Sequence, residues 1–294
     1  MHAKNAPASP STVLGRQLGD ELRRLREAAG MTTTQSADAL DCTKGKISRI
    51  ENGRVAVRLP DLTAMLLAYE VADDGALERL TTLARKANRR RRDGWWNQYG
   101  DVLADTYRDQ IEMEAISESI RTYQVQLIPG LLQTAAYGRA VTVASRAWKT
   151  PEEIEQFVEV RLARQRRLTG DAPLELWAVL AEGVLRQQVG GSAVMHAQLE
   201  HMAVMAEQPN ISVQVLPFER GAHSGMFGPY LLLSFPQVSS LDLVLSEAPT
   251  GNVWTEREPE VARYRTLFDD ARTASLSPTD SLALIHRVAK EYQS

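Results

Sequence analysis

The chain has 294 residues, 44% of them hydrophobic and 24% charged, with a formal net charge of −3. Such a length suggests about two domains of ~100–200 residues each, and such a composition is ordinary for a soluble globular protein. No run of about 18 uncharged apolar residues marks a membrane span, and the single cysteine, Cys42, excludes an internal disulfide and fits a reducing cytoplasm.

The charge is unevenly placed. Residues 1–92 hold 17 Lys and Arg against 11 Asp and Glu, a net of +6, and the remainder carries −9. A basic first part suggests a nucleic-acid-binding end joined to a part with a different task. The opening MHAKNAPASPST is polar, lacks the apolar core of a signal sequence, and reads as a disordered tail over 1–12.

Helical periodicity starts at once. Leu14, Leu18, Leu22 and Leu25 recur at helix spacing in residues 13–29, and Gly30 stops that helix. Thr32 and Gln35 have the spacing of a capping box, which starts a second helix near Thr33 that ends about Leu40. After a tight connection at Asp41-Cys42, Thr43 is a good N-cap for a third helix, closed by Asn52-Gly53. A fourth follows Pro60, with Leu62, Met65, Leu66 and Tyr69 as its buried stripe, and residues 74–88 give a fifth.

Two short helices joined by a tight turn form a helix-turn-helix unit. Within TKGKISRIENG, Ile47 and Ile50 anchor the third helix to a core and leave Lys44, Gly45, Lys46, Ser48 and Arg49 free. A helix laid in a DNA groove needs short polar and cationic residues on its outward face. Arg grips guanine through two parallel hydrogen bonds, which makes Arg49 the leading base reader, and Gly45 allows a close backbone approach.

LRRLREAAGMT and ADALDCTKGKISRIENGR resemble the Xre/Cro/C1-type helix-turn-helix family. The resemblance implies base contacts at Lys44, Gly45 and Arg49, a phosphate contact at Thr43, and a structural ion pair between Arg26 and Glu51. Lys46, Ser48 and Arg54 fall within the same DNA-binding segment. Two departures stand out: Thr33 occupies the position where the family uses a phosphate-binding Gln, and Ser36 the position of a core Leu.

Arg89, Arg90, Arg91 and Arg92 then form a cationic block that reads either as a grip on the DNA backbone or as a solvated helix end complementing the dipole. Residues 93–122 are expected to be a linker and docking helix, helical over 101–122, with Val125 to Ile128 a strand or extended bridge. Further on, 151–169 form a basic amphipathic helix. LELWAVL (174–180), ISVQVLPF (211–218), YLLLSF (230–235), LDLVLSE (241–247) and NVWTE (252–256) carry strand signals. A helix is expected over 192–206, and two more close the chain. The expected architecture is α+β: an all-α helix-turn-helix domain of about five helices over 13–92, then a larger mixed α/β domain over 123–294 with a sheet of about four to five strands.

No HExxH, CxxC, P-loop or GxSxG is present, so no catalytic residue, metal ligand or cofactor site is assigned. Candidate contacts to a partner or ligand are Arg161 and Arg164 on the basic helix, against a solvated face paired with Glu155 and Glu159, and His223 in the Gly-rich RGAHSGMFGP, against a plain loop histidine. IPGLLQTAAYGRAV, VEVRLARQRRL, MHAQLEHM, VQVLPFERGAHSGMFGPYLLLSF and the closing Leu-Ser-Pro helix resemble a family of actinobacterial antitoxin-like regulators. That resemblance implies a cytoplasmic DNA-binding protein that pairs with a small protein encoded nearby. Double-stranded DNA, a homodimer and that partner are therefore expected, with a one-component small-molecule sensor as the alternative. An enzyme tethered to a DNA-binding head and a pure interaction module are the remaining readings.

Overall fold

The computed structural model describes residues 13–53, 55–100, 102–235, 242–247 and 252–293. The chain divides into two compact units between Asn97 and Gln98. The tail over 1–12 and Arg54 lie outside the described residues.

The first unit holds α1 (Val13–Ala28), α2 (Thr33–Ala39), α3 (Lys44–Glu51), α4 (Leu59–Ala68) and α5 (Asp74–Asp93). Leu14, Leu18 and Leu22 of α1 meet Ile47 and Ile50 of α3 and Leu62, Met65 and Leu66 of α4 in one core. Ser36, where an apolar residue would be ordinary, is fully buried and its hydroxyl lies 2.6 Å from the Tyr69 hydroxyl. The pair satisfies both polar groups, so the small residue leaves no orphaned donor.

The second unit is a sheet layered with helices. Its described strands are β1 (Ser119–Gln124), β2 (Glu175–Ala181), β3 (Ile211–Leu216), β4 (Tyr230–Ser234), β5 (Leu243–Ser246) and β6 (Val253–Thr255), in the order β3-β2-β1-β4-β5-β6. β1 pairs parallel with β2 and β2 with β3, whereas β1–β4, β4–β5 and β5–β6 are antiparallel. The helices are α6 (Asp105–Ile116), α7 (Ala135–Ser145), α8 (Pro151–Arg164), α9 (Gly183–Arg186), α10 (Ser192–Ala206), α11 (Glu258–Ala274) and α12 (Pro278–Glu291). Crossovers through α7–α8 and α9–α10 join the parallel strands, as parallel pairing requires.

One sheet face packs Tyr123, Tyr230, Leu232 and Val244 against Val261, Phe268 and Ala271 of α11. Ile120, Thr122 and Gln124 alternate to the other face, toward α6 and α8. With both faces covered, β4 and β5 read as unbroken apolar runs rather than alternating ones.

Several expectations are corrected here. The sheet has six described strands, not four to five, because residues 119–124 are the inner strand β1 and not the end of a helix over 101–122. SIRTYQ carries polar residues into a buried strand, and their hydrogen bonds make this tolerable: Thr122 donates to the Tyr230 carbonyl at 3.1 Å, and Gln124 donates to Thr122 at 3.0 Å. Residues 125–128 are bend and irregular chain, not strand. The segment 93–122 is likewise no simple linker, since α6 and most of β1 are built into the second unit. Among the described residues, no helix is long and apolar enough to cross a membrane.

Candidate functional site

The α2–turn–α3 pair is assembled by local capping. The Thr32 hydroxyl accepts from the Gln35 backbone N–H at 3.2 Å, and the Gln35 side chain accepts from the Thr32 N–H at 2.9 Å. The turn passes through Asp41 at φ 46° and is tied by the Cys42 N–H donating to the Ala37 carbonyl at 2.9 Å. Thr43 then caps α3, its hydroxyl accepting from the Lys46 N–H at 3.2 Å. Cys42, in the turn, is partly exposed.

Two glycines let α3 sit close on α1. A Cβ at Gly19 would lie 2.5 Å from the Glu51 carbonyl oxygen. Gly53 ends α3 at φ 63°, in the left-handed region, and a Cβ there would lie 2.4 Å from the Arg16 nitrogen. No side chain fits at either crossing.

A charged clasp locks the same contact. Arg26 Nε donates to Glu51 Oε1 at 2.6 Å and Nη2 to Oε2 at 3.1 Å, with both side chains buried. Arg26 Nη1 also donates to the Met31 carbonyl at 2.7 Å. The hydrogen bond to Glu51 raises the guanidinium pKa and outweighs desolvation. Arg23, which the sequence reading did not single out, adds bonds to Glu51 Oε2 at 3.5 Å and to Asn52 Oδ1 at 3.1 Å. Its position one helical turn before Arg26, on the same stripe of α1, was the available signal.

With Ile47 and Ile50 turned inward, Thr43, Lys44, Gly45, Ser48 and Arg49 lie exposed along α3, and Thr33 is half-buried in the first turn of α2. A Cβ at Gly45 would meet Arg49 Nη1 at 3.7 Å, an ordinary contact. Gly45 is therefore not required by the free fold. Lys46 departs from the expectation that it is free: its ammonium lies 3.2 Å from Asp61 Oδ2, on α4. Arg58 also binds Asp61, at 3.2 Å. The Arg58 hydrogen bond holds the Asp61 carboxyl below the usual carboxylate range against desolvation, and Lys46 adds to this. Arg89 to Arg92 continue α5 to its end, and their side chains lie outside the description.

The candidate contacts of the second unit separate. Arg164 is not on a partner-facing surface. It is buried and donates from Nε to Glu114 Oε2 at 2.8 Å, from Nη2 to the other carboxylate oxygen, and from Nη1 to the Tyr107 hydroxyl. Burial works against its charge, yet Glu114 and Tyr107 outweigh burial and raise its pKa, so it stays a cation. Glu155 binds Arg139 at 2.6 Å rather than an arginine of its own helix, which removes Glu155 from the alternative of intrahelical pairing. Arg161 and Arg164 share the lining of a cavity of about 130 Å³ with Glu114 and Glu247. These two acids were not singled out, because α6 reads as an ordinary amphipathic helix and Glu247 as the polar end of a strand. His223 lies on the opposite face of the sheet, edge-on to Tyr123, and its Nδ1 accepts from the Gly225 N–H at 3.0 Å. That bond caps a short 3-10 helix, the plain loop role. Among the described residues, no group of three or more His, Cys, Asp or Glu is placed to hold a metal ion.

Comparison with known proteins agrees with the helix-turn-helix geometry of the first unit. A helix-turn-helix domain family matches residues 17–80, from within α1 into α5. A domain of unknown function, DUF5753, matches residues 107–287. No curated protein and no solved structure matches the chain. The second match spans more than half of the 294 residues, and so the chain belongs to the DUF5753 family, with a helix-turn-helix domain ahead of the family's domain of unknown function.

Proposed function

We propose that this protein is a sequence-specific DNA-binding transcriptional regulator of the Xre/Cro/C1 type, acting in the cytoplasm. The observation that carries the proposal is the outward face of α3, where Lys44, Gly45, Ser48 and Arg49 stand exposed on a helix anchored by Ile47, Ile50 and the Arg26–Glu51 clasp. A helix so held offers a rigid set of donors to base edges and phosphates. In this reading Arg49, Lys44 and Gly45 meet base edges, the Thr43 hydroxyl meets a phosphate, and Lys46 reaches phosphate only by leaving Asp61. The protein works as a homodimer, which sets two such helices about one DNA turn, roughly 34 Å, apart. Its actinobacterial antitoxin-like character and its small partner protein, encoded nearby, rest on the sequence resemblance of the second unit. No catalytic step belongs to the proposal.

Selection of genomic DNA fragments by the purified full-length protein, at near-physiological salt, tests it. The expected result is a short palindromic or directly repeated motif that is lost in Lys44→Ala/Arg49→Ala. Diffuse, salt-labile binding without a motif would reduce α3 to generic electrostatics.

The cavity favours a second reading, in which the second unit senses a small molecule directly. Saturable thermal stabilisation of the full chain by small molecules supports it, since a ligand that binds the folded state raises apparent stability by mass action.

A further inference from the structure

The cavity beneath β1 and β4 is small. Its volume of about 130 Å³ is well below the ~300–1,000 Å³ of drug-sized ligand sites. Four charged side chains line it, and their pairing is unequal. Arg164 is ion-paired with Glu114 and bonded to Tyr107, so that cation and that anion compensate each other. Arg161 and Glu247 are the other two, and among the described residues neither forms an ion pair.

Arg161 is held in place by neutral groups. Its Nη1 donates to the Gln133 side chain, whose own amide donates to the Ile128 carbonyl at 2.6 Å. Its guanidinium lies 5.2 Å from the Phe157 ring centroid, and its stem runs against Gly138, where an added Cβ would meet Cδ at 3.2 Å. Its Nε has no hydrogen-bond partner among the described residues. The side chain is thus oriented by neutral groups, with no ion pair among the described residues.

Glu247 follows β5 directly and accepts no hydrogen bond from a described residue. It lines the cavity and is exposed to solvent. Desolvation pushes its carboxyl above the usual range, against the pull of Arg164 and Arg161. One cationic and one anionic group therefore line the cavity with no ion-pair partner among the described residues, and each is available to a group of opposite charge.

We propose that this cavity binds a small zwitterion of the free amino acid class, with Arg161 taking its carboxylate and Glu247 its ammonium group. The proposal rests on, and sharpens, the small-molecule reading of the second unit. A simple carboxylate answers Arg161 alone and leaves Glu247 uncompensated. A simple amine does the reverse. The glutamine amides of the lining supply donors and acceptors for a short polar side chain.

The test is calorimetric titration of the full-length protein with free L-amino acids, and with the carboxylic acid and the primary amine that each becomes on losing its amino or carboxylate group. Saturable binding of at least one amino acid is expected, with both truncated analogues weaker by about tenfold or more, the scale of one lost hydrogen bond to a charged group. Glu247→Gln and Arg161→Gln should each weaken the amino acid by about tenfold or more on the same ground. Melting of the unliganded variants controls for folding. If Arg161→Gln is itself unstable, Glu247→Gln decides, since Glu247 has no hydrogen bond to lose. Acids that bind as tightly as amino acids, with no effect of Glu247→Gln, would overturn the zwitterion assignment and leave the sensing reading standing. Binding by no compound of the three classes overturns the proposal. The DNA selection described above reads the regulator function independently of either result.

Discussion

Replacing Glu51 with alanine removes the carboxylate that holds α1 and α3 together. Its side chain is 3% exposed and that of Arg26 7%, so the guanidinium would be left inside without its counter-charge. Removing one partner of a buried pair costs about 3–5 kcal/mol. The lower end applies here, because Arg26 keeps its 2.7 Å bond to the Met31 carbonyl. For a unit of under a hundred residues, about 3 kcal/mol corresponds to a fall of roughly 12–24 °C in melting temperature. Scanning calorimetry of the full chain resolves this, because the transition of the first unit should move while that of the second stays. Arg26→Met/Glu51→Leu should recover most of the loss, since an apolar pair of similar volume is often neutral. A fall of less than about 4 °C for Glu51→Ala would mean that the pair is as weak as a surface ion pair. The clasp would then have no role in fixing α3.

Other perturbations separate recognition from folding. Arg49→Ala should leave the melting temperature unchanged and cost about 1–3 kcal/mol on the selected motif, with little change on random DNA; equal loss on both refutes base reading. Lys44→Ala should likewise cost more on the selected motif than on random DNA, and it should lower the salt slope, measured by fluorescence anisotropy over a salt series. Gly45→Ala should stabilise the free protein by up to about 1 kcal/mol, because an added methyl has room, while lowering DNA affinity if the backbone approaches the groove. Asp61 has a folded pKa below its unfolded value, so its contribution is present above the ordinary carboxylate range and is lost as pH falls through the folded value. Acid titration of the first unit's melting should therefore be shallower in Asp61→Asn, and that variant should gain DNA affinity as Lys46 is released.

The helices of the first unit were legible because their signals are local. Leucines at helical spacing, a Thr-Gln capping box and Asn-Gly at a helix end act within a few residues. Strands with both faces covered were equally plain where they ran apolar, as in YLLLSF. β1 was missed for the converse reason. SIRTYQ has no alternation and follows a helix without punctuation, and its place at the centre of the sheet comes from partners about 55 and 110 residues along the chain.

The candidate site shows the same division. Sequence alone determined that Lys44, Gly45, Ser48 and Arg49 fall on the outward face of α3, since a helix period with Ile47 and Ile50 inside allows little else. It also carried the family resemblance that implied the Arg26–Glu51 pair. Only the tertiary structure decided that Lys46 is tied to Asp61, that Gly19 and Gly53 admit no side chain, and that Arg164 is spent on Glu114 while Arg161 and Glu247 remain unpaired beside one cavity. A helical face is set by neighbours three and four residues apart. Ion pairs across elements, close backbone crossings and cavities are set by which distant segments meet, and no local pattern records that.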